Sequence, residues 1–190
     1  MSYQLDSFES LYHEVPYRSP FHPLYLLKSY FENKNVFDLG CGGGDLCYFV
    51  KKYLNANSVR GIDRGSNHRH DVPIQIGDIR DVDFKNIKNI DTYISWIEDP
   101  DVEMFVINEL LKNSIKTNYI ISYCTDQVVC NKCNICDYLK CIPYKKKRLL
   151  SFLNDLAKDN FIDYESVTYP YDDGKLCRQS GTFTYYIISL

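Results

Sequence analysis

Short apolar runs alternate along this chain with segments of helical period. The run Asn35–Leu39 is apolar at Val36, Phe37 and Leu39 and stops at a glycine-rich turn, which predicts a strand. Leu46, Phe49, Val50, Tyr53 and Leu54 follow at i, i+3, i+4, i+7 and i+8, one face of an amphipathic helix. Further strands are predicted at Ser58–Asp63, Pro73–Gly77, Asp91–Ile97 and Thr117–Cys124. Asp99 and Pro100 open a helix: Asp suits the N-cap, Pro the next position, and Asp101 and Glu103 the positive end of the helix dipole. Leu149, Phe152, Leu153 and Leu156 mark another helix. Phe161–Tyr169 and Thr182–Leu190 read as two last strands separated by the turn Asp172-Asp173-Gly174. Before all of these, Pro23 fits the first turn of a helix that Leu24, Leu27 and Phe31 continue.

Strands alternating with helices imply a parallel sheet covered on both faces. The last two strands have no helix between them, so they form an antiparallel hairpin at the sheet edge. The expected fold is therefore α/β, a three-layer sandwich around a mainly parallel seven-stranded sheet with an antiparallel C-terminal hairpin. A length of 190 residues suits one domain, with residues 1–22 as an N-terminal arm and 126–148 as a cysteine-rich, basic insertion. Hydrophobic residues at 45% and charged residues at 25% exclude wholesale disorder. A net charge of −3 argues against a protein held to nucleic acid by bulk charge alone, while leaving room for a local basic patch. The N-terminus lacks a secretory signal and no apolar run reaches bilayer length, so no membrane partner and a soluble, cytoplasmic protein are expected.

The densest chemical signal is the turn after the first strand, Asp38-Leu39-Gly40-Cys41-Gly42-Gly43-Gly44-Asp45. Glycines allow positive φ and close backbone approach to a ligand, and the helix behind the turn points free N–H groups at it. No Lys-Ser/Thr follows, so it is not a P-loop, and Asp45 stands where the dinucleotide fingerprint needs its third Gly. The spacing Asp38-x-Gly40-x-Gly42-x-Gly44 resembles motif I of the class I S-adenosylmethionine-dependent methyltransferases. The resemblance implies methyl transfer with S-adenosylmethionine as cofactor. It implies that Asp63, at the end of the second strand, accepts the ribose hydroxyls. It also implies that Asp78 meets the adenine amino group, with Ile79 against the ring.

The acceptor side is less legible. In this family the end of the fourth strand faces the methyl group, and here it reads Ser95-Trp96-Ile97-Glu98-Asp99-Pro100. The Asp/Asn-Pro-Pro-Tyr/Phe motif of base N-methylases is absent. Glu98 or Asp99 can act as a base or orient an amine, although Asp99 also suits a plain N-cap. Trp96 can stack on a planar substrate or pack in the core. Lys28 and Glu165 stand where the ends of the Lys-Asp-Lys-Glu set of ribose methylases fall, but its middle members have no convincing position. The run Lys145-Lys146-Lys147-Arg148 suits phosphates or a solvated helix start, and His68-Arg69-His70 is too isolated for a metal or catalytic role. An RNA or other nucleic-acid acceptor is slightly favoured over a small molecule or a protein. The rival is a catalytically silent protein of the same fold that serves as a partner subunit.

Cys130, Cys133, Cys136 and Cys141 fall within twelve residues. Four thiolates can hold zinc tetrahedrally, but zinc ribbons separate two pairs widely, so free thiols remain the other reading.

Overall fold

The computed structural model describes residues 19–65, 70–97, 99–124, 142–172 and 180–190. Seven strands form one sheet: β1 (Asn35–Leu39), β2 (Ser58–Asp63), β3 (Ile74–Ile76), β4 (Thr92–Ser95), β5 (Asn118–Cys124), β6 (Asp163–Asp172) and β7 (Ser180–Ser189). Among the described residues three α-helices accompany them: α1 (Asp45–Tyr53), α2 (Pro100–Lys112) and α3 (Ile142–Lys158). The strand order is β3-β2-β1-β4-β5-β7-β6. The pairs β1–β2, β2–β3, β1–β4 and β4–β5 are parallel, whereas β7 runs antiparallel to both β5 and β6. The expected α/β sheet with an antiparallel C-terminal hairpin is the one observed.

The central strands β1, β4 and β5 are buried on both faces, as their apolar runs require, whereas β2 exposes Ser58 and Arg60 and the edge strand β3 exposes Gln75 and Ile76. On one face Val36, Ile94, Ile120 and Ile187 pack with Phe49 and Val50 of α1 and with Leu24 and Phe31 of the N-terminal segment. On the other, Phe37, Tyr93, Tyr119, Ile121 and Ile188 pack with Val106, Ile107 and Leu110 of α2 and Leu149 and Leu153 of α3. The result is three layers. The segment ahead of β1 differs from the expected helix at Pro23: Ser19–Tyr30 is a 3-10 helix kinked at Leu27. Its carbonyl at Tyr30 accepts from Thr92 Oγ1 at 2.6 Å, which ties it to β4.

Other boundaries differ as well: β4 spans only Thr92–Ser95 of the expected Asp91–Ile97, and β7 is Ser180–Ser189 rather than Thr182–Leu190. Helix α3 begins at Ile142, so the last residues of the segment 126–148 form its first two turns, with Pro143 where a missing N–H is harmless. There Arg148 forms an ion pair with Asp101 of α2 at 2.6 Å, and Lys146 donates to Thr184 Oγ1 at 3.3 Å. The strand β6 extends past Tyr169 to Asp172 through Pro170, which lies opposite Thr182.

Candidate functional site

The chain leaves β1 at Leu39, runs out to β2 and β3 on one side, and returns to β4 and β5 on the other. This makes the carboxyl end of β1 the switch point of the sheet, where open α/β folds bind their ligands. The glycine turn sits there. Gly40, Gly42 and Gly44 have φ of 77°, 55° and 85°, all in the left-handed region. Close packing adds a second constraint. A Cβ on Gly40 would stand 2.7 Å from Ile97 Cγ1, and one on Gly44 would stand 2.9 Å from both Val72 Cγ2 and Ile74 Cδ1. A Cβ on Gly42 would meet no protein atom within 4 Å.

Beside the turn lies a cavity of about 360 Å³, lined by Gly40, Asp63, Asp78 and Ile79 together with Arg64, Gly77, Arg80, Ile97, Asp99 and Val102. Four of the expected cofactor residues therefore share one cavity, contributed by β1, the end of β2 and the segment after β3. Asp63 is held at both oxygens: Gly42 N–H donates to Oδ2 at 2.9 Å and Gly65 N–H to Oδ1 at 2.7 Å. Those bonds lock the carboxylate while leaving it lone pairs for a ligand hydroxyl. Asp78 caps a short 3-10 turn, Ile79–Asp81, by accepting from Arg80 N–H at 2.9 Å. Ile79, Ile97 and Val102 give the cavity apolar surface.

The other expected cofactor residues lie under or beside this cavity rather than in its lining. Asp38 is 1% exposed, and the Cys47 thiol donates to its Oδ2 at 3.3 Å. Cys47 is pushed far above the usual thiol range by its hydrogen bond with Cys41, by burial and by the Asp38 charge. It is therefore a neutral thiol at physiological pH and a poor nucleophile. Iodoacetamide should leave Cys47 unmodified in the folded protein and alkylate it after denaturation; peptide mapping that finds it modified under native conditions contradicts this packing.

On the acceptor side, Asp99 is the N-cap of α2, accepting from Asp101 N–H at 3.0 Å, and also lines the cavity. Glu98 lies outside the described residues, as do Cys130, Cys133, Cys136 and Cys141. Among the described residues no group of three or more His, Cys, Asp or Glu converges as a metal site requires. Trp96 is outside the cavity lining and packs edge-on against Tyr185, ring centroids 6.4 Å apart at 73°. Lys28 pairs with Glu32 at 3.0 Å, and Glu165 accepts instead from Tyr30 OH at 3.0 Å. The described residues therefore do not join Lys28 and Glu165 in one contact.

Sequence reading missed Arg64, Arg80, Ile97 and Val102 as lining residues, and it missed Glu103. Glu103 is fully buried under the cavity wall, where it accepts from Ser95 Oγ at 2.7 Å and from Tyr119 OH. The available signal was its position in the first turn of α2, directly after the residues expected to face the methyl group.

No family model and no curated protein matches this sequence. Solved structures do. A protein assigned as an RNA methyltransferase from Pyrococcus horikoshii superposes with a TM-score of 0.59 at 15% identity, covering 91% of this chain and 86% of that one. A plantazolicin methyltransferase, solved with a triazolic desmethylPZN analogue and S-adenosylhomocysteine, gives a TM-score of 0.62 at 13% identity, covering 97% and 90%. The methyltransferase domain of a bacterial Hen1 gives 0.57 at 16% identity, covering 88% and 95%. Strand order, switch-point turn and these superpositions agree: the chain has the class I S-adenosylmethionine-dependent methyltransferase fold.

Proposed function

We propose that this protein transfers the methyl group of S-adenosylmethionine to RNA. The observation that carries the reading is the convergence of Gly40, Asp63 and Asp78 on one cavity at the switch point of the sheet. The residues present fit an adenosine. Asp63 is braced by two backbone N–H groups and keeps acceptor capacity for ribose hydroxyls. The Asp78 carboxylate is an acceptor suited to an exocyclic amine, and Ile79, Ile97 and Val102 supply apolar contact for a ring. Gly40 packs against Ile97 of the lining, so a side chain there would displace the cavity wall.

When bound, S-adenosylmethionine supplies a methyl already activated by its sulfonium. The protein's remaining task is to hold the reacting atoms in line and to accept a proton where the acceptor is a hydroxyl. Asp99 fixes the end of the β4 wall through its cap on α2. Glu98, next to it in sequence, is assigned the proton-accepting or amine-orienting role. The RNA assignment draws on the basic residues at the start of α3 and on two fold neighbours, one assigned as an RNA methyltransferase and one a Hen1 domain.

Transfer of labelled methyl from S-adenosylmethionine to a panel of RNA, peptide and small-molecule acceptors tests this reading. Incorporation into RNA is the expected result. Incorporation into a peptide acceptor alone overturns the RNA assignment. Cofactor binding without any transfer favours the silent partner subunit. Asp63→Ala should weaken binding of S-adenosylhomocysteine by about 1–3 kcal/mol, the usual size for hydrogen bonds to a charged group. An unchanged dissociation constant in calorimetry would place the ribose elsewhere.

A further inference from the structure

Two of the eight cysteines meet behind the glycine turn, and methyl transfer uses neither. Cys41 stands between Gly40 and Gly42, and Cys47 is the third residue of α1. Both are free and buried. Their sulfurs crowd one spot above Gly61 of β2: a Cβ built there would stand 2.6 Å from Cys41 Sγ and 3.2 Å from Cys47 Sγ. The two thiols share a hydrogen bond, and the Cys47 S–H also donates to Asp38 Oδ2 at 3.3 Å. Sulfurs in contact, with a carboxylate on one of them, form a unit that can exist as a dithiol or as a disulfide.

The turn is tied to β2 on the other side. The N–H groups of Gly40 and Cys41 both donate to the Ile62 carbonyl, at 2.9 and 3.1 Å, and Gly42 N–H donates to Asp63 Oδ2 at 2.9 Å. A disulfide holds its sulfurs about 2.05 Å apart, closer than a hydrogen bond allows. Closing it draws Cys41 toward α1 against those bonds, and its chain neighbours Gly40 and Gly42 move with it. Gly40 and Asp63 line the cavity, so the pull reaches the ligand.

We propose that Cys41 and Cys47 are a redox pair that controls the cofactor site: a peroxide converts them to a disulfide that weakens cofactor binding, and thiol reductants restore it. The inference rests on the reading of the cavity as an S-adenosylmethionine site and adds its regulation. The Cys41 sulfur takes one oxygen from hydrogen peroxide, giving a sulfenic acid and one water. The space beside Gly42, where a Cβ would meet no atom within 4 Å, admits so small an oxidant. The Cys47 sulfur then attacks the Cys41 sulfur. Its proton passes to Asp38 and on to the departing hydroxide, and a second water leaves as the S–S bond forms. The two thiols lose two electrons and one peroxide gains them. A neutral Cys47 thiol is a poor nucleophile toward external reagents, but contact with Cys41 and a base on its S–H equip it for this one attack.

The test titrates S-adenosylhomocysteine into the whole chain by calorimetry before treatment with hydrogen peroxide, after it, and after dithiothreitol. Cys41 and Cys47 fall on one tryptic peptide, 35–51, so their disulfide shows as that peptide lighter by two hydrogens and closed to alkylation. The oxidised chain should stay folded by circular dichroism and bind the ligand at least about tenfold more weakly, with recovery on reduction. By linkage, saturating S-adenosylhomocysteine should make the pair harder to oxidise by the same factor, about 30 mV for a tenfold coupling. Cys41→Ser and Cys47→Ser should each bind equally before and after peroxide, whatever their own affinity, and either serves if the other does not fold. A peptide 35–51 that stays a dithiol overturns the proposal. So does a disulfide with unchanged affinity, unfolding on oxidation, or a loss that persists in the serine variants. Reduced wild-type protein that binds no S-adenosylhomocysteine removes the cofactor reading itself, and the switch with it.

Discussion

Gly40→Val should abolish measurable cofactor binding while the protein remains folded. Gly40 holds φ at 77°, a region that a β-branched residue adopts only at a cost of about 1–3 kcal/mol. Its new Cβ would stand 2.7 Å from Ile97 Cγ1 and 3.2 Å from Ile97 Cδ1. Ile97 lines the cavity, so relief of that clash moves the wall into ligand space or shifts the turn away from it. Overpacking of this kind adds about 1–3 kcal/mol to the cost in stability, while affinity is lost because the displaced wall or turn no longer matches the ligand. Gly42→Ala is the informative companion. Its Cβ meets no protein atom within 4 Å, so protein packing gives it no penalty beyond the positive φ. A loss of ligand affinity larger than its loss of stability therefore reports a ligand close to Gly42. Calorimetry paired with urea unfolding separates the two quantities in both variants.

Glu103→Ala should cost about 3–5 kcal/mol of stability, the larger thermodynamic effect among side chains around the site. Glu103 is fully buried, accepting from Ser95 Oγ at the end of β4 and from Tyr119 OH on β5. Removing the carboxylate takes an acceptor from two buried hydroxyls, at about 1–3 kcal/mol each, and opens a cavity beneath the wall. For a chain of this length that corresponds to a fall in Tm of about 6–20 °C. Glu103→Gln keeps an acceptor oxygen and the volume, so it should lose less than half as much. Equal losses for the two variants in thermal unfolding would mean that the hydroxyl bonds contribute little. Because Ser95 precedes Trp96 and Ile97, the alanine variant should also weaken cofactor binding through the loosened wall.

The parts of this fold that were legible in the sequence are those set by local pattern. The limits Asn35–Leu39 and Ser58–Asp63 coincide with β1 and β2, because both strands are central and the first stops at a glycine turn. The Asp99-Pro100 signal located α2 because capping and proline preference act within one turn. The end of β6 was not legible. The expected strand ends at Tyr169, yet an edge strand tolerates proline, and β7 pairs on through Pro170–Thr182, Tyr171–Gly181 and Asp172–Ser180. The site divides in the same way. Asp63 and Asp78 were found from strand ends and a family resemblance. Arg64, Ile97 and Val102 reach the cavity only because β2 and β4 flank β1, and sheet order is a tertiary property. The pairing of His70 with Asp45 likewise spans 25 positions that no local pattern connects.

Titration of S-adenosylhomocysteine into the wild-type protein tests the central reading most directly. The cavity beside Asp63, Asp78 and the Gly40 turn predicts saturable binding of one ligand per chain, weakened by Asp63→Ala and abolished by Gly40→Val. A folded protein that gives no binding heat and no thermal stabilisation at millimolar S-adenosylhomocysteine would contradict it.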